Sequence, residues 1–108
     1  MHGIQDSSDA WVAHDLDSPA FILASQGYDV WLGNFRGNKY SKRHITYYEG
    51  SAEFWNFGWE ELSIFDIPAF TEYILQHSTS EVKKLAYIGH SMGGTAGTFA
   101  LTYNPTYY

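Results

Sequence analysis

Apolar residues in this chain fall in runs whose period changes along its length. Ala20-Phe21-Ile22-Leu23-Ala24 follows Ser18-Pro19 and stops at Gly27. A proline start and a glycine end predict a helix over 18–26. Tyr28-Asp29-Val30-Trp31-Leu32, closed by Gly33, is short, aromatic and β-branched, and predicts a strand. A polar stretch through Gly37, Asn38 and Gly50 reads as a long loop. From Trp59 the apolar positions Leu62, Phe65, Phe70, Tyr73 and Ile74 return at helical spacing. Pro68 breaks or kinks that pattern, and Asp66 is placed to cap a second helix ending near His77-Ser78. Lys84-Leu85-Ala86-Tyr87-Ile88, ending at Gly89, predicts a second strand. The small-residue segment 92–103 then predicts a helix packed closely against a neighbour. Strand and helix alternating with crossover-length connections give an α/β class, with parallel strands and flanking helices.

The 108 residues allow one small domain, with no internal repeat or low-complexity tract to divide it. Aromatic residues make up 19%, a content that calls for a packed core. The formal charge is −6 and no basic run exceeds two residues, which excludes a nucleic-acid partner. With no cysteine there is neither a thiolate nucleophile nor a disulfide framework. No apolar run approaches the ~20 residues of a transmembrane segment. The first residues show neither the basic nor the apolar region of a signal peptide.

Gly89-His90-Ser91-Met92-Gly93 fits G-x-S-x-G, the turn that presents a nucleophilic serine between a strand and a helix. The strand must reverse sharply, so side chains at the flanking positions would collide with backbone. The helix that follows aims its N-terminal N–H groups at the place where oxyanion charge develops. Here the pentapeptide follows an apolar run and opens a segment with Gly94, Ala96 and Gly97, the setting the motif requires. A glycine-rich turn in a non-catalytic sheet protein is the alternative. A second oxyanion donor is expected from an earlier loop, and His2-Gly3-Ile4 sits where that loop belongs. The backbone N–H groups of Ile4 and Met92 are therefore the candidate oxyanion hole for Ser91.

Several stretches together resemble the acid lipase family of α/β-hydrolases, which contains the gastric and lysosomal acid lipases. They are His2-Gly3-Ile4 with Asp6-Ser7-Ser8, Ala20-Phe21-Ile22-Leu23-Ala24, and Gly27-Tyr28-Asp29-Val30-Trp31-Leu32-Gly33-Asn34. Arg36-Gly37-Asn38, Glu53-Phe54-Trp55, Asp66-Ile67-Pro68-Ala69 and Tyr87-Ile88-Gly89-His90-Ser91 extend the match across nearly the whole chain. The resemblance implies that residues 1–108 are an incomplete α/β-hydrolase domain, running from the oxyanion loop through the nucleophile elbow and its helix. It implies a lipase-like serine carboxylic-ester hydrolase of neutral lipid esters, such as triacylglycerols or sterol esters. No cofactor or metal is implied, and the location is secreted or lysosomal. The family usually has Gln after the nucleophile where this chain has Met92, a position that contributes only its N–H. The family's triad Asp and His lie downstream of the serine, and residues 92–108 contain no Asp, Glu or His. Both groups are expected from residues outside this chain, leaving the isolated 108 residues inactive. A non-catalytic relative and a truncated product without a stable fold are the alternatives.

The remaining polar residues have plainer readings. His14, His44 and His77 read as solvent-exposed, His90 as packing, and His2 as a buttress of the oxyanion loop. Arg36 reads as a structural tie, and Glu60, Glu61 and Glu81 as solvated charges. The aromatic cluster Phe54, Trp55, Phe57 and Trp59 reads as core packing, with a lipid-facing patch as the alternative.

Overall fold

In the computed structural model, which describes residues 1–81 and 84–105, Pro19 opens the first α-helix, α1 (Pro19–Ser25), after two short 3-10 turns at Ser8–Trp11 and Asp15–Asp17. Ser18 is buried and does not cap it; its hydroxyl accepts the His14 N–H at 2.8 Å. Gly27 closes the helix at φ +88°, a conformation that favours glycine. The Tyr28 N–H reaches the Leu23 carbonyl and the Gly27 N–H that of Ala24, which satisfies two carbonyls of the last turn.

Segments 28–32 and 84–88, expected as strands, form none: no strand is assigned among the described residues. A strand exists only as one side of a hydrogen-bonded ladder. Here side chains hold both segments against helices instead. The Ser78 hydroxyl donates to the Asp29 carboxylate at 2.6 Å. Trp31 meets Tyr73 edge-on with ring centroids 6.0 Å apart, and Phe35 meets Phe70 at 6.3 Å. Residues 29–35 thus run antiparallel to the helix over 67–77. In the later segment the Tyr87 ring lies across Gly97, and its hydroxyl donates to the Gly93 carbonyl at 2.6 Å. Backbone pairing does occur at Met1. The Met1 nitrogen donates to the Ile88 carbonyl, and the His90 N–H donates to the Met1 carbonyl at 3.0 Å. These two bonds straddle Gly89 in the manner of parallel neighbours.

Residues 59–77 form one helical rod: α2 (Trp59–Glu61), a π turn (Leu62–Asp66) and α3 (Ile67–His77). Pro68 was expected to break or kink the helix and Asp66 to cap a new one; instead the helix continues through a widened turn, and Asp66 caps nothing. Asp66 has helical dihedrals and makes no capping bond. The Ile67 N–H skips one carbonyl and reaches that of Leu62, and the wider turn makes room for the proline ring beside the preceding turn. Glu61 is also more than a solvated charge, since its carboxylate accepts the Gly58 N–H at 2.7 Å. That bond, with a smaller contribution from its own backbone N–H, holds the Glu61 carboxyl below the usual carboxylate range. A depressed carboxyl stabilises the fold above its unfolded-state pKa and loses that contribution as pH falls through the folded value. Glu61→Gln is therefore expected to lower the melting temperature at neutral pH. Thermal melts at successively lower pH should show the difference from wild type vanish once the carboxylate is protonated.

The last helix, α4 (Met92–Tyr103), buries Gly93, Ala96, Gly97 and Ala100, which share one face at helical spacing. The helix packs on α2, the π turn and α3, while Met1 approaches Gly93 and the Tyr87 ring approaches Gly97. Phe35, Leu62, Ile67, Ala96 and Ala100 form the core, lined by Met1, Phe57, Phe70 and Met92. Phe54 is buried, but Trp55 and Trp59 are 46% and 53% exposed, so core packing accounts for only part of the aromatic cluster. Total accessible surface is 7787 Å². A monomeric protein of this mass exposes about 6,100 Å². Tyr28, Trp31, Leu85, Tyr87 and Ile88, on the two extended segments, contribute to the excess. Among the described residues no helix is long and apolar enough to cross a membrane.

Candidate active site

Ser91 stands at the N-cap of α4 with φ 52° and ψ −120°. A non-glycine residue in that region is strained by about 1–3 kcal/mol, and the surrounding structure has to enforce it. Two glycines allow this. A methyl group at Gly89 would stand 2.6 Å from both the Gly93 carbonyl carbon and the Gly94 nitrogen. One at Gly93 would stand 2.5 Å from the Met1 carbonyl oxygen. Backbone bonds from the Gly93 N–H to the His90 carbonyl (2.9 Å) and from the Thr95 N–H to the Ser91 carbonyl (3.1 Å) fix the turn. The Ser91 side chain is solvent-exposed and makes no capping bond, which leaves its hydroxyl available for chemistry. Met92 is the first residue of α4, where backbone N–H groups have no partner within the helix and carry its positive dipole end.

The segment carrying Ile4 lies against this turn. The position a Gly3 Cβ would take is 3.3 Å from the Ser91 Cβ, so only glycine allows the approach at ordinary contact distance. The Asp6 N–H closes a turn onto the Gly3 carbonyl at 3.1 Å and puts Ile4 at its second position, with its side chain 77% exposed. His2 holds the turn from behind and is 2% exposed. Its Nε2 accepts the Phe35 N–H at 3.1 Å, so Nδ1 carries the proton and donates to the Gly3 carbonyl at 2.8 Å. The Asn38 amide is also 3.1 Å from Nε2, and it donates to Asn34, which in turn pairs with Ser8. His2→Ala is expected to destabilise by about 2–4 kcal/mol, because it opens a cavity and leaves the buried Phe35 N–H unpaired. Urea denaturation would measure the loss.

Sequence spacing gave no sign of the Asn34–Asn38–Ser8 network, in which Asn34 reaches Ser8 across 26 residues and Asn38 reaches His2 across 36. The reading of Arg36 as a structural tie matches its contacts. Its Nε donates to Asp66 Oδ1 at 2.7 Å and its backbone N–H to Oδ2 at 3.0 Å, while the guanidinium lies 5.8 Å from the Phe57 and Phe65 rings. Asp66 thus anchors this loop rather than capping a helix. The reading of His90 as packing does not survive: its side chain is 67% exposed, with Nδ1 3.7 Å from Asp6 Oδ2. His14, His44 and His77 are exposed. His44 accepts the Thr46 and Tyr47 N–H groups, and His77 bonds the Tyr73 carbonyl. Among the described residues no group of three or more His, Asp or Glu could hold a metal ion. Two open clefts of about 360 Å³ lie along the loops, and Ser91 lines neither.

A family model described as the alpha/beta hydrolase fold matches residues 1–107. A probable lipase of Schizosaccharomyces pombe is 48% identical over 106 residues, covering 96% of this chain and 24% of that protein. Gastric triacylglycerol lipase of Rattus norvegicus is 44% identical over 107 residues, covering 98% of this chain and 27% of that lipase. A Crotalus adamanteus protein carrying the name of a lysosomal acid lipase/cholesteryl ester hydrolase is 42% identical over 106 residues, 97% of this chain and 26% of its own length. The chain spans about a quarter of the length of the curated relatives it matches.

Proposed function

Because this chain belongs to the α/β-hydrolase fold family, we propose that it supplies the nucleophile and oxyanion hole of a lipase-like serine carboxylic-ester hydrolase. Its substrates in this reading are neutral lipid esters, triacylglycerols or sterol esters. The observation that carries it is the strained Ser91 backbone at the start of α4, with Gly3 packed beside it. Ser91 Oγ adds to the ester carbonyl carbon, and its proton passes to a histidine base. The Ile4 and Met92 N–H groups bind the oxyanion. Collapse of that intermediate expels the alcohol, which takes the proton back, and water then hydrolyses the acyl-serine. The base and its orienting acid are assigned to residues outside 1–108, and the reaction needs no cofactor or metal. The bonds around Gly89 support a parallel sheet in the complete enzyme. The relatives' names support the lipid substrate class and a secreted or lysosomal location. The exposed Trp55 and Trp59 rings support contact with a lipid interface.

A fluorophosphonate probe tests the nucleophile directly in the full-length protein carrying this segment. Wild type should take the label and Ser91→Ala should not. A Ser91→Ala protein that keeps both the label and its esterase activity would overturn the reading.

A further inference from the structure

We propose that Asp6 and His90 form a clasp that positions the oxyanion turn on the nucleophile elbow, an assignment that rests on Ser91 being the nucleophile. Asp6 is the last residue of the turn that carries Ile4, and His90 directly precedes Ser91. The Asp6 carboxylate reaches across Gly3 to His90 Nδ1 at 3.7 Å. The two side chains meet above the Gly3 Cα, where a Cβ would stand 3.2 Å from His90 Nδ1 and 3.5 Å from Asp6 Oδ2. On the other side of Gly3 the His90 N–H donates to the Met1 carbonyl at 3.0 Å. His90 therefore touches the loop at two points, before Gly3 through a backbone hydrogen bond and after it through a longer side-chain contact with Asp6. Ile4 is 77% exposed, and its N–H is aimed by the Gly3–Ile4 peptide, whose carbonyl accepts the Asp6 N–H and the His2 Nδ1–H, so the clasp acts by holding Asp6 in place.

Both partners are substantially exposed, at 67% for His90 and 44% for Asp6, so the pair adds little to stability. Its effect lies in the aim of a donor that acts on the oxyanion, which exists only in the transition state and the tetrahedral intermediate. A misaimed donor lowers kcat and leaves KM unchanged, because substrate binding does not use it. Complete loss of an oxyanion donor costs about 10²–10³ in kcat, and a loosened turn that keeps the donor should cost about tenfold.

The test is steady-state hydrolysis of a p-nitrophenyl ester by the full-length protein with Asp6→Ala, His90→Ala and the double substitution. Each single change is expected to lower kcat about tenfold, with KM and melting temperature unchanged. The double variant should be no worse than either single, since both remove the same link. Unchanged kcat in Asp6→Ala, multiplying losses in the double variant, or an effect confined to KM or melting temperature would each overturn the clasp. Ser91→Ala, assayed alongside, separates the two assignments. Activity that survives in it overturns the nucleophile and the clasp together, whereas a Ser91-dependent rate untouched by Asp6→Ala overturns the clasp alone.

Discussion

Gly89→Ala is expected to abolish the site and to cost upwards of about 3 kcal/mol in stability. The added methyl would stand 2.6 Å from the Gly93 carbonyl carbon, 2.6 Å from the Gly94 nitrogen and 2.7 Å from the Gly93 oxygen. All three atoms are backbone within the first turn of α4, so no side chain can rotate away to make room. Overpacking a core side chain typically costs about 1–3 kcal/mol, and a clash with rigid backbone sits at or above the top of that range. Relief requires the turn to open, and an opened turn no longer holds Ser91 at positive φ. Gly94→Ala is the control. Its methyl would meet the Gly89 carbonyl at ordinary contact distance, the oxygen at 3.4 Å and the carbon at 3.9 Å, and alanine in a helix is favoured over glycine by about 1 kcal/mol. Chemical denaturation and fluorophosphonate labelling should therefore separate the two alanines sharply. Equal stability and equal labelling would show that the elbow tolerates a Cβ at Gly89.

Purified residues 1–108 are expected to hydrolyse p-nitrophenyl esters no faster than their Ser91→Ala variant. A serine hydroxyl without a base is a weak nucleophile at neutral pH, and losing either member of a serine–histidine pair costs about 10⁶ in kcat. His2 is committed to Phe35 and Gly3, His44 accepts two backbone N–H groups, and His77 bonds Tyr73. His90 adjoins Ser91 but reaches toward Asp6. The same protein should enhance the fluorescence of an apolar dye. Its surface exceeds that of a monomer of its mass by well over a thousand Å², with Trp31, Leu32, Leu85, Tyr87 and Ile88 all open to solvent. Serine-dependent turnover well above the Ser91→Ala background would show that a base is available within these residues.

Helices and turns whose signals are local were legible in the sequence. Proline and glycine bracket α1, and the small residues of α4 fall on one face because that face is closely approached, by Leu62 and Ile67 at Ala96 and Ala100, by Met1 at Gly93 and by Tyr87 at Gly97. The elbow was legible for the same reason: Gly89 and Ser91 answer to backbone geometry within five residues, although Gly93 also makes room for the distant Met1 carbonyl. The two strands failed because their composition records a preference, whereas a strand needs neighbours to pair with. Asp66 looked like a cap because a proline follows two residues later, yet its partner is Arg36, 30 positions upstream. His90 and Glu61 went astray differently. His90 lies near, and Glu61 bonds, a group whose position depends on how a turn closes, and residue type alone does not report that.

The π turn bears on how this chain can vary in length. Leu62 and Ile67 are five residues apart, a spacing that on a regular α-helix would point them about 140° apart. Both are nonetheless almost fully buried, at 3% and 4% exposure, because the widened turn brings them toward one side. The turn acts as an extra residue taken up inside a helix. Removing one residue from 62–66 would let the widened turn close to a regular coil, leaving Leu62 and Ile67 four apart and about 40° apart in direction. Phe70 would keep Phe35, and Tyr73 would keep Trp31. A deletion within the regular coil of α3 has no such slack and would rotate everything beyond it by about 100°. Deletion scanning should therefore find 62–66 more forgiving than 69–72.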